Sequence, residues 1–154
     1  MRKDMMWSRR WANCKNIIYP QDIRVTALPS SACHQMYSGC TSLRYTPPQL
    51  CSSTLGNYAY YQMFQNCTSL HDATELELPA TTVPMGCYRR MFYNCENLEN
   101  PPLISGRIYD REALKEMFKD CKSLKSRAVI NAESAHSTAF DNMYEGCTLL
   151  PPED

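Results

Sequence analysis

The octapeptide Met91-Phe92-Tyr93-Asn94-Cys95-Glu96-Asn97-Leu98 is one of six related copies in this 154-residue chain. The segments starting at Met36, Met63, Met117 and Met143 repeat its order: Met, aromatic, any residue, Asn/Gly/Asp, Cys, any residue, usually Ser or Asn, then Leu. Arg10-Trp11-Ala12-Asn13-Cys14-Lys15-Asn16-Ile17 opens the series in weaker form. The cysteines Cys14, Cys40, Cys67, Cys95, Cys121 and Cys147 are 26, 27, 28, 26 and 26 residues apart. A near-constant period of that size means that one supersecondary unit is stacked upon itself. The expectation is a single domain over 1–154, of about six coils with the first and last incomplete.

Each period divides into three parts. In the third copy Leu55, Ala59, Tyr60, Met63 and Phe64 are spaced i, i+4, i+5, i+8, i+9, which predicts a short helix over 53–64. The residue four before the repeat Met is small (Ala32, Ala59, Cys87, Ala113, Ala139), and the next is mostly large. Asp110 reads as a helix N-cap in the fifth copy. Asn, Gly or Asp before each cysteine suits a left-handed backbone position closing such a helix. An extended segment led by the repeat Leu follows, clearest over 70–79, and prolines keep its paired part short. The predicted fold class is therefore an α/β repeat: a short right-handed solenoid, with a small parallel sheet on one side and short helices on the other.

Nine cysteines raise the question of disulfides. Six of them hold one repeat position, so stacking aligns them in a column with parallel side chains. The expectation is a ladder of buried thiols, with Cys33, Cys51 and Cys87 outside it and Cys51 exposed. There is no Cys-x-x-Cys, the three histidines are scattered, and no metal or cofactor is expected.

The unit Met-aromatic-x-Asn/Gly-Cys-x-Ser-Leu, together with Leu78-Pro79-Ala80-Thr81-Thr82, resembles the BspA-like leucine-rich repeats over nearly the whole chain. Those repeats are abundant in surface proteins of gut Bacteroidales, in mycoplasmas and in some protists. The resemblance implies a leucine-rich-repeat fold, binding to other macromolecules and no catalytic residues. It differs in Met where most members carry Ala before the aromatic.

The residues are silent on catalysis. His34 neighbours Cys33, and His136 stands near Ser134 and Ser137, but adjacent positions do not face each other. Asp72, Glu75 and Glu77 read as a solvated acidic edge. The formal net charge is zero, which makes a nucleic-acid partner improbable despite a basic first coil of Arg2, Lys3, Arg9, Arg10 and Lys15. No apolar run is long enough to span a membrane. The first residues lack the apolar core of a secretory leader, so a cytoplasmic or phage-associated chain is expected, or an extracellular one if it is cut from a longer protein.

Function is thus expected on the surface. Two columns follow the repeat Leu: Ile18, Arg44, His71, Glu99 and Lys125, then Tyr19, Tyr45, Asp72, Asn100 and Ser126. Candidate partner-binding residues are Tyr19, Arg44, Tyr45, His71, Asp72, Glu99, Asn100 and Lys125, because aromatic and Arg side chains dominate recognition hot spots. A second candidate is Tyr58, Tyr61 and Tyr93 with Arg89 and Arg90. The expected function is a non-enzymatic protein-binding module for adhesion or receptor recognition. The alternatives are a small intracellular, phage-encoded inhibitor that blocks a host protein, or a glycan-binding module. The ends have no obvious polar cap, so end-to-end self-association is also expected.

Overall fold

The structure, a computed structural model, describes residues 6–50 and 52–153. Cys51, and Arg2 and Lys3 of the basic opening, lie outside the described residues.

The expected α/β solenoid with helices on one side is overturned. Among the described residues there is no helix, and the strands are four and short. They are β1 (Ala27–Leu28), β2 (Thr54–Leu55), β3 (Ile104–Ile108) and β4 (Ile130–Ala135). β1 pairs with β2, and β3 with β4, in two separate two-stranded parallel sheets. The segment 70–79, the clearest strand by sequence, contributes only single-residue parallel bridges at Asp72 and Glu77. The paired strands lie elsewhere, just before the turn runs, and β2 falls within the segment 53–64 read as a helix.

Those segments (30–39, 57–66, 85–94, 111–120, 137–146) are runs of consecutive turns. Their hydrogen bonds follow a strict alternation. In the second copy the N–H groups of Ala32, His34, Met36, Ser38 and Cys40 bond to the carbonyls three residues back. Those of Ser31, Cys33, Gln35, Tyr37 and Gly39 bond instead to Asn57, Ala59, Tyr61, Met63 and Gln65 of the next copy. The same ladder joins the first copy to the second, at Trp7, Arg9, Trp11 and Asn13, and continues to the sixth. An α-helix would keep all of these bonds within itself. The spacing also forbids it: directly hydrogen-bonded chains lie ~4.8 Å apart, whereas packed helices need roughly 8–10 Å.

The turns need left-handed residues at a spacing of four. Ser31, Gln35 and Gly39 have φ of 57°, 53° and 75°, and Tyr58, Gln62 and Asn66 have 58°, 56° and 60°. Each pair of inward residues follows one of these positions. Positive φ is uncommon outside glycine, and here Arg9, Asn13, Ser31, Gln35, Tyr58, Gln62, Asn66, Arg90, Asn94, Glu116 and Asp120 each combine it with an N–H that donates into the next copy. The Asn/Gly/Asp before each cysteine is the last of the series: Asn13, Asn66, Asn94, Asp120, Gly39 and Gly146 all lie at positive φ.

The core fills the space enclosed by the stacked copies. Ala, large residue, Met, aromatic, Cys and Leu of the inner copies are almost fully buried. The repeat aromatics form one continuous column. Trp11–Tyr37, Tyr37–Phe64, Phe64–Phe92, Phe92–Phe118 and Phe118–Tyr144 stack at 5.3, 5.7, 5.5, 5.5 and 5.7 Å between ring centres, all within 15° of parallel. The outer tyrosines of the column have their hydroxyls engaged. Tyr37 accepts from the Gln21 N–H and donates to the Gln21 carbonyl, and Tyr144 accepts from the Ala128 N–H. Phe occupies the three central places.

Beside this column runs the thiol ladder. Cys40, Cys67, Cys95, Cys121 and Cys147 carry free thiols. Each donates Sγ–H to the carbonyl of the aromatic in the preceding copy: Trp11, Tyr37, Phe64, Phe92 and Phe118, at 3.0–3.2 Å. That same carbonyl also accepts the N–H of its own copy's cysteine. Both lone pairs of a buried acceptor are therefore used. A thiol fits here because it is small, apolar and still able to donate.

Candidate functional site

The two columns predicted to follow the repeat Leu come together in register. The Arg44 N–H donates to the Ile18 carbonyl, Glu99 to His71, and Lys125 to Glu99. Tyr45 bridges Asp72, and Asp72 bridges Asn100, both in parallel. The eight candidates thus occupy one face, but they divide into two zones by what their side chains already hold.

In the zone nearer the C-terminus the charges are matched within the chain. Lys125 pairs with Glu99 at 2.5 Å. Asp72 accepts both the N–H and the hydroxyl of Thr74. Exposed pairs of this kind add little to stability, but they leave little charge for a partner.

The zone nearer the N-terminus differs. The Tyr19 and Tyr45 rings stack at 5.0 Å and 5° while remaining 66% and 44% exposed. His71 meets Tyr45 edge-on at 6.3 Å. Arg44 is exposed and forms no ion pair among the described residues. Beside it, a depression of about 260 Å³ is lined by Lys15, Asn16, Ile18, Ser42, Arg44 and Ser69. Its volume is below the roughly 300–1,000 Å³ of sites that enclose a small molecule. The zone is an open aromatic surface with two cations at its border.

The second candidate group lies on the outer side of the turn runs. His34 stacks on Tyr61 at 5.0 Å, and the Arg89 guanidinium lies 5.7 Å from the centre of the same ring. Arg90 lies 5.5 Å from the Tyr93 ring centre. These cations are already neutralised: Arg89 pairs with Glu112, and Arg90 with Glu116. The Tyr58 ring edge meets Tyr61 at 5.8 Å and covers Gly86, where an added Cβ would meet ring carbons at 2.2 Å.

Sequence reasoning missed the polar ladder on this side. Arg9 donates to Gln35, Gln35 donates to Gln62, and Arg90 donates to Glu116, which Lys119 also approaches at 3.6 Å. The Arg90 guanidinium, with help from Lys119 and Arg89, holds the Glu116 carboxyl below the usual carboxylate range. The signal was present: the residue before each repeat Met is long and polar at Gln35, Gln62, Arg90, Glu116 and Asn142.

Burial raises the thiols of Cys67, Cys95 and Cys121 and pushes Cys147 up to about 11, so the ladder holds neutral thiols at pH 7. No group of three or more His, Cys, Asp or Glu that could hold a metal ion occurs among the described residues. No helix among them is long and apolar enough to cross a membrane. No family model matches the chain, and no curated protein or solved structure matches it.

Proposed function

We propose that this chain is a non-enzymatic recognition module that holds an acidic protein surface on the Tyr19–Arg44–Tyr45–His71 zone. The observation that carries the reading is the stacked, exposed tyrosine pair bordered by Arg44 and Lys15. Two rings that already pack on each other lose little freedom on binding, and tyrosine and arginine supply most of the energy at protein interfaces. The resemblance to BspA-like repeats favours the same class. The planar, exposed ring pair also favours a second reading, a glycan laid against Tyr19 and Tyr45.

Capture tests the proposal. The tagged chain is exposed to bacterial cytosolic lysate, to intact cells and to extracellular host proteins, beside an Arg44→Ala/Tyr45→Ala/His71→Ala variant. A protein retained by the wild type, released by raised salt and lost with the variant supports the recognition zone. Retention from cytosol alone assigns a role as an inhibitor, and retention on cells assigns adhesion. Binding on a glycan array that the variant loses replaces the protein partner with a glycan. Equal capture by both proteins refutes the zone.

A further inference from the structure

The inter-copy ladder does not end symmetrically. Counted from the repeat cysteine, donors sit at positions −7, −5, −3 and −1, and acceptors in the next copy at −8, −6, −4 and −2. In the sixth copy the four donor positions are Phe140, Asn142, Tyr144 and Gly146, and their N–H groups donate to nothing among the described residues. In the first copy the four acceptor positions are Met6, Ser8, Arg10 and Ala12, and their carbonyls accept nothing among the described residues. One end of the stack offers a row of donors and the other a row of acceptors, at the same repeat spacing.

Three further features match across the two ends. The aromatic column stops at Trp11 and Tyr144, each half-buried and stacked on one ring only, with the Arg10 guanidinium 5.3 Å from the Trp11 ring centre and that of Arg127 5.4 Å from the Tyr144 ring centre, whereas Phe64, Phe92 and Phe118 are fully buried. The Cys14 thiol donates to no carbonyl, and the Tyr144 carbonyl receives no thiol, among the described residues. Charge is opposite: residues 6–19 hold Arg9, Arg10 and Lys15 and no acid, while residues 137–153 hold Asp141, Glu145 and Glu153 and no base; Glu145 pairs with Lys119 and Glu153 with Arg127, so Asp141 is the acid that forms no ion pair among the described residues.

We infer that the sixth-copy end of one chain docks on the first-copy end of a second copy of this chain, continuing the ladder as if the stack were uninterrupted. Phe140, Asn142, Tyr144 and Gly146 donate to Met6, Ser8, Arg10 and Ala12 of the second copy, Tyr144 stacks on its Trp11, and Arg9 approaches Asp141 and Asn142. A two-fold arrangement is disfavoured at either end, because it sets carbonyl against carbonyl or N–H against N–H, and like charge against like. The contact is therefore head-to-tail, and a head-to-tail contact that does not close into a ring propagates. The recognition zone borders this end and shares Lys15 with it, but none of the residues altered in the test below belongs to that zone.

Sedimentation velocity on the full chain tests it. The wild type should shift to heavier species as concentration rises. An Arg9→Glu/Arg10→Glu variant makes both ends acidic, and an Asp141→Lys/Glu145→Lys variant makes both ends basic. Each alone should lose the heavier species, and an equimolar mixture should regain them, because each acidic end then meets a basic one. Recovery on mixing also shows that the variants are folded. A wild type that stays monomeric at every concentration overturns the inference. So does association that both variants retain in full, which would place the contact on another face.

Discussion

Replacing Phe92 by Leu removes the centre of the aromatic column while keeping the site apolar. Phe92 is fully buried and stacks on Phe64 and Phe118, each at 5.5 Å. An aromatic pair is worth about 0.5–1.5 kcal/mol beyond its buried area, so losing two costs roughly 1–3 kcal/mol. Imperfect filling of the ring's space by Leu adds about 1 kcal/mol, for a total of about 2–4 kcal/mol. Phe92→Ala falls in the range of about 3–5 kcal/mol typical of emptied aromatic sites and threatens folding outright in a domain stable by roughly 5–15 kcal/mol. Trp11→Leu is the control. Trp11 has one ring neighbour, Tyr37, and is only partly buried, so its loss should cost about half as much or less. Urea unfolding followed by circular dichroism measures both variants. Equal costs for Phe92→Leu and Trp11→Leu, or a cost below about 0.5 kcal/mol for the former, would refute the claim that the stacked column, rather than generic burial, holds the copies together.

The thiol ladder predicts position-dependent chemistry. Cys95→Ser puts a hydroxyl on a shorter arm in a buried apolar column and should cost about 1–3 kcal/mol, whereas Cys14→Ser, half-exposed and with no thiol hydrogen bond among the described residues, should be near neutral in the same unfolding assay. In the native protein at pH 8, an alkylating reagent followed by mass spectrometry should modify Cys14 well before Cys67, Cys95 or Cys121, because burial raises those thiols and hides them. Glu116 sets a pH dependence. Its carboxyl is held below the usual range in the folded chain, so its contribution is whole above the ordinary carboxylate range and is lost as pH falls through the depressed value. Glu116→Gln should therefore cost about 1–3 kcal/mol at pH 7, the worth of a charge-assisted bond to Arg90, and progressively less as pH falls below the ordinary carboxylate range; a cost that stays the same on acidification would remove the ion pair as the cause.

The repeat register could be read directly, because identical positions recur every 26–28 residues and stack only one way. The thiol column and the pairing of Tyr45 with Asp72, and of Asp72 with Asn100, follow from that register alone. The helices could not be told from turns by apolar spacing. Tyr60, Met63, Phe64 and Cys67 fall at i, i+3, i+4 and i+7, an amphipathic helix stripe. They fall equally on a four-residue period of two inward and two outward positions, which is what a run of turns with left-handed residues produces. Only the position before cysteine advertised its backbone, through Asn, Gly and Asp. Tyr58, Gln62, Glu112 and Glu116 adopt positive φ with no compositional signal. At Tyr58, Gln62 and Glu116 the residue's own N–H donates into the next copy, and those bonds exist only once the copies are stacked.

The candidate zone was legible as a list of residues but not as a division among them. Nothing in the sequence separates Arg44 from Arg90 or Lys125. The structure does, by what each already touches. Along the turn side the charges of one copy meet those of the next: Arg89 with Glu112, Arg90 with Glu116, Lys119 with Glu145. Lys122 and Lys125 likewise meet Glu96 and Glu99. These pairs span one repeat period, so a substitution in one copy acts on its neighbour, and such positions are bound into the stack. The Arg44 side chain and the Tyr19–Tyr45 pair are not held by such charge pairing. Where the copies stop neutralising one another, side-chain chemistry is left over for a partner. In this chain that happens at the aromatic corner of the first three copies and, for the backbone hydrogen bonds, at the two ends of the ladder.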